Sequence, residues 1–269
     1  MDKCELYDEL GTMVEKLAEI AGVNKNQLQC YYSPEGKKQI DGEQGFFNRL
    51  VISLQNSGMM RNSIKYDDID RRNAIKNVLC DYVVIKAKNR YQNWESLYDS
   101  ILAAGIKDNG IKKKKESNWE KYCRGLYDGI RFLTDSNGEK EIDSLIDPDN
   151  SIELNERIER IKKISKEIHG LGFALTCDWL KECGCVWLAK PDIHIRTVVN
   201  YLYNGQLNGQ ISDVDVIKKV YEWAEDIDRK DVTPYKIDKI IWLLCTGNFY
   251  LNNKTIGRNA VIECISRFK

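Results

Sequence analysis

The segment HGLGFALTCDWLKECGCVWLAKPDIHI, residues 169–195, contains a Gly-Leu-Gly turn that is followed at a distance by an aspartate. Gly170 and Gly172 allow a tight turn and a close approach of the backbone to another group, because neither carries a Cβ atom. Asp192 lies beyond a stretch of helical composition and is followed closely by His194. This arrangement raises the question of what a glycine turn and a distant carboxylate do together.

Length and composition restrict the class of protein. The 269-residue chain suffices for one large domain or for two small domains that share a cleft. It contains no run of about 18 apolar residues, so we expect no membrane span. Its beginning, MDKCELYDEL, is polar and acidic, unlike a secretory signal or a transit peptide. Nine cysteines, mostly in apolar stretches, are typical of reduced thiols in a cytoplasmic protein.

Three cysteines, Cys177, Cys183 and Cys185, lie close together in the sequence. A zinc site normally adds a second CxxC pair or two histidines at a suitable spacing. Neither is present here, so we predict no metal at these thiols.

Charge is unevenly distributed although the net charge is zero. Residues 49–131 hold 17 Lys or Arg and 10 Asp or Glu, a local excess of seven positive charges. The run Lys112–Lys115 lies in this segment. Such a run is typical of a solvated loop, and it also suits a surface that attracts phosphates.

Apolar residues recur at helical spacing along nearly the whole chain, with clear stripes at 46–54, 154–168, 217–227 and 237–244. Only CDYVVIKA, residues 80–87, has the composition of a strand, and it also suits a helix. Four prolines in the whole chain also favour long helices. We predict an all-α protein.

The glycine turn joins two predicted helices. Residues 152–168 form one amphipathic helix, and helical composition resumes from Phe173 to about Cys183. Backbone N–H groups at the start of the second helix would suit a phosphate oxygen, because the helix dipole is positive there. Glycine is also common at ordinary helix ends, so the turn alone is not specific.

Asp192 follows Pro191 and precedes IHIRTVVNYLY, which is predicted to be a helix. Aspartate at that position is a good N-cap, and capping alone would explain it. A capping carboxylate also has a fixed orientation, so capping and catalysis are compatible.

Together, Gly170-Leu171-Gly172, a helix, a short loop and Asp192-Ile193-His194 resemble the helix-hairpin-helix DNA glycosylases, the endonuclease III-like superfamily. The resemblance is specific over about 165–203 and extends more loosely over 44–250. It implies a two-lobed helical fold with a cleft between the lobes. We expect a central lobe at 45–190, which contains the hairpin 169–173, and a second lobe formed by 1–44 with 191–269.

The resemblance implies that Asp192 is the catalytic carboxylate of an N-glycosylase acting on a damaged or modified base in duplex DNA. Cleaving the N-glycosidic bond builds positive charge on the sugar, which a carboxylate stabilises while it activates water. The base must first leave the stack and enter a pocket. The pocket candidates, each of which also suits the protein core, are Trp179, Trp187 and Trp242.

The resemblance also implies contacts to DNA from the hairpin, from the start of the Asp192 helix and from the loop after FFNRLVISL, where a side chain can fill the gap left by a flipped base. The candidate DNA-binding residues are His169, Gly170, Leu171, Gly172, Phe173, Lys190, His194, Gln55, Asn56 and Ser57. His169 and His194 equally suit a helix end and a packed core, and Met59 and Met60 suit either a wedge or the core.

Two departures from the family pattern matter. Family members that cut the strand carry a hairpin lysine where this sequence has Ala174, so we expect base release without strand cleavage. Lys190 remains open as a relocated amine. The cysteines that hold an iron–sulfur cluster in some members are also missing. We therefore expect no cofactor, apart from the open alternative of a monovalent cation at the hairpin backbone.

Two other functions remain open. The protein could be a non-catalytic helix-hairpin-helix module that recognises lesions or distorted DNA, with Asp192 as a cap only. It could also be a helical interaction protein, whose binding would be insensitive to salt, whereas phosphate-mediated binding weakens steeply with salt. The favoured prediction is a monomeric enzyme of base excision repair, located in the cytoplasm or at the nucleoid.

Overall fold

The computed structural model describes residues 3–34, 42–58, 60–105, 117–147, 151–204 and 210–257. Within them, helices dominate and one small antiparallel sheet is present, which confirms the predicted all-α fold. The predicted basic run Lys112–Lys115 and Met59 lie outside the described residues. None of the described helices has the length and apolar character that crossing a bilayer requires.

The helices follow one another with short connections. They are α1 (Lys3–Ile20), α2 (Lys25–Gln29), α3 (Gly42–Leu54), α4 (Met60–Ile64), α5 (Ile69–Val78), α6 (Val84–Arg90), α7 (Trp94–Ala103), α8 (Asn118–Asp135), α9 (Gly138–Ile146), α10 (Leu154–Glu167), α11 (Gly172–Glu182), α12 (Ile193–Asn204), α13 (Asp213–Ile227) and α14 (Pro234–Thr246). Strand β1 (Asn248–Phe249) pairs with β2 (Lys254–Thr255), with Asn248 opposite Thr255.

The chain forms two compact units, one of residues 40–183 and the other of 1–39 with 184–269. The predicted division fell at 44/45 and 190/191. Helix α3 begins at Gly42 and runs unbroken past residue 45, so its start belongs with the rest of the helix. The loop after Cys183 is tied to the other unit, since the Tyr235 N–H donates to the carbonyl of Val186 at 2.9 Å.

Helix α8 lies at the centre of the 40–183 unit and packs against α3, α4, α6, α7 and α9. Two glycines one turn apart on α8 let the leucines of α3 approach closely. A Cβ on Gly129 would lie 2.1 Å from Cδ2 of Leu50, and one on Gly125 would lie 2.8 Å from Cδ2 of Leu54. Close helix packing therefore requires glycine at both positions.

The segment with strand-like composition in this unit is not a strand. Residues Cys80–Tyr82 form a short 3₁₀ turn and α6 follows from Val84. Tyr82, Val84 and Ala87 are buried at helical rather than alternating spacing, so the β-branched residues serve a helix face.

Helix α14 is the core element of the other unit and packs against α1, α12 and α13. Its beginning is well specified, because Pro234 follows Thr233, whose side chain accepts from the N–H of Lys236. It ends at Gly247, which adopts a left-handed conformation. Apolar residues cover most of its circumference, and Asp238 is buried among them.

Candidate functional site

The hairpin between α10 and α11 is anchored by two buried residues and presents an exposed tip. Ile168 and Leu171 are buried, and the N–H of Leu171 donates to the carbonyl of Ile168 at 3.2 Å. His169, Gly170 and Gly172 are exposed. Leu171, one of the predicted DNA-binding residues, therefore offers its backbone rather than its side chain.

Both hairpin glycines adopt backbone conformations that favour glycine. Gly170 has φ +78° and Gly172 has φ +43°. A Cβ on Gly172 would meet no protein atom within 4 Å. The space beside Gly172 is therefore open to a ligand.

The start of α11 has the features of an anion site. Leu171 precedes its first residue, and no side chain in the described part of the chain caps this helix start. The first backbone N–H groups of an α-helix lack partners within the helix and carry partial positive charge. An oxyanion such as a phosphate can satisfy them.

Helix α8 supports the hairpin from below, which sequence reasoning missed. The carboxylate of Asp128 accepts the N–H of His169 at 3.0 Å. A Cβ on Gly125 would lie 2.6 Å from the carbonyl oxygen of His169, so α8 and the hairpin are in direct contact there. The sequence signal was the pair Gly125 and Gly129, which places small residues on one face of the helix.

The loop that follows α3 lies beside the hairpin. Met60 is buried, and its Cε lies 3.8 Å from the position of a Cβ on Gly170. Asn56 and Ser57 are half-buried. Gln55, by contrast, is only 2% exposed, and its side-chain oxygen accepts the N–H of Tyr66 at 3.1 Å. Gln55 therefore braces the loop from inside and is not displayed for contact with DNA.

Asp192 caps α12, as its position in the sequence predicts. Its Oδ1 accepts the N–H of His194 at 2.9 Å and that of Ile195 at 3.2 Å. The side chain is 18% exposed, and Oδ2 lies 3.9 Å from Nζ of Lys190. One carboxylate oxygen is thus fixed by the helix, while the other faces an amine.

Cys245 on α14 is an electrostatic neighbour of Asp192. Burial raises the pKa of the Cys245 thiol to about 11, and the negative charge of Asp192 raises it further. Cys245 is therefore a neutral thiol at pH 7 and adds no competing negative charge beside the carboxylate. Its proximity to Asp192 was not apparent from the sequence, where 53 positions separate the two.

The three tryptophans differ in their surroundings. Trp179 is fully buried in the 40–183 unit, where its Nε1 donates to the carbonyl of Phe46 at 2.9 Å. Its indole therefore serves the core, and Trp179 leaves the set of pocket candidates. Trp187 is also buried. Trp242 is half-buried, one helical turn before Cys245, with its ring edge-on to Tyr250 at a centroid distance of 5.7 Å.

The remaining candidates lie near the ends of helices. Phe173 and Ala174 are half-buried in the first turn of α11, and His194 is half-buried in the first turn of α12. Across the described ranges, no three or more His, Cys, Asp or Glu side chains are grouped so that they could hold a metal ion.

No family model and no curated protein matches the sequence. The structure is similar to the crystal structure of the 8-oxoguanine DNA glycosylase of Thermotoga maritima, with a TM-score of 0.50 and 14% sequence identity. The match covers 91% of this chain and 98% of that one. At this identity the likeness concerns the fold. The chain has the all-α fold of a helix-hairpin-helix DNA glycosylase.

Proposed function

We propose that the protein is a DNA glycosylase, which hydrolyses the N-glycosidic bond of a damaged or modified base flipped out of duplex DNA. The observation that carries the proposal is Asp192, a partly exposed carboxylate held by two backbone N–H groups at the start of α12. It occurs in a chain whose fold is similar to that of an 8-oxoguanine DNA glycosylase.

In the proposed reaction, Asp192 acts on the sugar of the flipped nucleotide. As the bond from C1′ to the base nitrogen breaks, the base takes the bonding electrons and positive charge develops on the ring. The carboxylate stabilises that charge and accepts a proton from the attacking water. The products are the free base and an abasic site with a hydroxyl group at C1′.

The hairpin is proposed to hold the DNA backbone. The exposed turn at His169–Gly172, with Phe173 behind it, offers N–H groups and open space for one phosphate. Asn56 and Ser57 lie in the loop beside this turn and remain candidates for contact with the duplex. Lys190 and His194 are the corresponding candidates beside Asp192.

Trp242 and Trp187 remain the proposed aromatic residues of the base pocket. Trp242 suits this role better, because it is half-buried and lies one turn from Cys245, the electrostatic neighbour of Asp192. An aromatic face can stack on any base, so it contributes binding energy without selecting one lesion.

We propose base release without strand cleavage. A lyase reaction requires an amine that attacks C1′, and the hairpin position where the resemblance places that lysine is Ala174. Lys190 is the amine nearest to the proposed centre among the contacts described above. Its Nζ lies 3.9 Å from a carboxylate oxygen, which favours the protonated, non-nucleophilic form.

A non-catalytic DNA-binding module is the alternative. It is favoured by one observation, namely that capping of α12 already accounts for Asp192. In that case the hairpin would bind DNA and the carboxylate would contribute only to stability.

Assaying the purified protein on a panel of duplexes separates these functions. The panel contains oxidised, alkylated, deaminated and bulky modified bases, and free base is measured directly. We expect one class to release its base and to leave strands that break only after alkali treatment. Binding without base release across the whole panel would favour the DNA-binding module. Strand cleavage without alkali, with a borohydride-trapped protein–DNA adduct, would contradict the monofunctional assignment.

A further inference from the structure

The two residues that precede Asp192 are each held by a charged side chain from a different helix. The N–H of Lys190 donates to Oδ2 of Asp238 at 2.6 Å. The carbonyl of Pro191 accepts from Nη2 of Arg196 at 3.2 Å. An anion thus holds the donor of this segment and a cation holds its acceptor, so each contact is charge-assisted.

Asp238 is a buried charge-bearing group for which the proposed chemistry has no direct use. It is 1% exposed in α14, among Ile237, Ile241 and other apolar residues of that helix. A carboxylate is costly to bury unless hydrogen bonds compensate for lost hydration. The short contact to Lys190 provides such compensation, and it ties the Asp192 loop to the most buried helix of its unit.

Arg196 acts from the other side of the loop. Besides its contact with Pro191, its guanidinium pairs with Asp213 at the start of α13, and its backbone N–H donates to the carbonyl of Asp192 at 2.9 Å. Pro191 adds rigidity because its ring fixes φ. The segment from Lys190 to Asp192 therefore has little freedom to move.

We propose that Asp238 and Arg196 are positioning residues for Asp192, which set the place of its carboxylate without touching DNA. This inference rests on the proposed function. Geometry matters in such a site, because a displacement of about 1 Å can cost about 100-fold in rate. The clamp would supply that precision through the backbone.

Arg196→Met tests the exposed side of the clamp, with Arg229→Met as a matched control. Both arginines pair with an aspartate in the same unit, and their side chains are 40% and 41% exposed. We expect Arg196→Met to lower the single-turnover rate of base release by roughly tenfold at unchanged DNA affinity. Arg229→Met should stay within about twofold of the wild type. A weakened affinity with an unchanged rate would overturn the assignment, because Arg196 would then be a DNA contact.

Asp238→Ala and Asp238→Asn test the buried side. Alanine removes the acceptor for the Lys190 N–H, whereas asparagine retains a neutral one, so activity should fall furthest with alanine and be partly restored with asparagine. Equal rates in both variants and the wild type would contradict the clamp.

Amide hydrogen exchange at His194 and Ile195 provides a readout that does not depend on catalysis. Their N–H groups bond to Asp192, so we expect faster exchange in Asp238→Ala than in Arg229→Met, with Asp238→Asn between them. Unchanged exchange in Asp238→Ala would overturn the positioning role even if the enzyme is active. Absence of base release by the wild type would instead refute the proposed function, while the exchange rates still decide whether the clamp exists.

Discussion

At the scale of single residues, Asp192 combines two tasks that have different chemical requirements. Capping needs only an oxygen acceptor near the N–H groups of His194 and Ile195, and asparagine provides one equally well. Stabilising a positively charged sugar needs a full negative charge. The two tasks can therefore be separated by a substitution that removes the charge and keeps the shape.

Cys245 reports on that charge. Because Asp192 helps to raise the pKa of the Cys245 thiol, Asp192→Asn should lower this pKa and increase the thiolate fraction. We therefore expect faster alkylation of Cys245 by iodoacetamide at pH 9 in the variant, measured by mass spectrometry of the labelled peptide. Cys30, a partly exposed thiol of the same unit, serves as the control and should react at an unchanged rate. Identical labelling of Cys245 in both proteins would contradict the electrostatic contact.

At the scale of elements, the hairpin between α10 and α11 depends on glycine in two distinct ways. Its own glycines provide left-handed backbone and open space at the tip. Gly125 of α8 removes a side chain that would otherwise press on the carbonyl of His169. The first requirement concerns the ligand and the second concerns the fold.

Gly172→Ala tests the requirement at the tip, with Gly22→Ala as its control. Both glycines have positive φ, +43° and +69°, and a Cβ on either would meet no protein atom within 4 Å. Each variant should lose about 1 kcal/mol of stability from the left-handed backbone. Only Gly172→Ala should weaken binding to duplex DNA, by about tenfold or about 1.4 kcal/mol, in a fluorescence anisotropy titration. Equal affinities of the two variants would argue against a phosphate at the hairpin.

Gly125→Ala tests the support beneath the hairpin, and Gly11→Ala is the control. Alanine normally stabilises a helix interior by about 1 kcal/mol over glycine, and a Cβ on Gly11 meets nothing within 4 Å. On Gly125 the same Cβ would lie 2.6 Å from the His169 carbonyl. We expect Gly125→Ala to lower the free energy of unfolding by about 1–3 kcal/mol and Gly11→Ala to raise it, both measured by urea denaturation. A stabilising effect at Gly125 would show that α8 and the hairpin are not in contact.

At the scale of the whole molecule, helical periodicity predicts the all-α fold, because apolar spacing is a local property of the sequence. The glycine turn and the cap at Asp192 are equally local, and both lie where the sequence indicates. The supporting contacts are not local. Asp238 bonds to a residue 48 positions away, and Asp128 bonds to one 41 positions away, so neither contact leaves a pattern in a single sequence.

Burial explains the other differences between expectation and structure. Gln55 and Trp179 have side chains that suit contact with DNA or with a base, but tertiary packing buries both and satisfies their polar groups internally. Composition alone does not distinguish an exposed amide or indole from a buried one. The same holds for Asp238, whose one sequence signal is a charge within the apolar stripe of α14.

The most direct test of the central claim compares Asp192→Asn with the wild type on the duplex that releases its base most rapidly. Asparagine keeps the cap, so the melting temperature and the affinity for DNA should remain close to wild-type values. The single-turnover rate of base release should fall by about 100- to 1,000-fold, because the developing charge on the sugar loses its counter-ion. A variant that releases the base at the wild-type rate would contradict the assignment of Asp192 as the catalytic carboxylate.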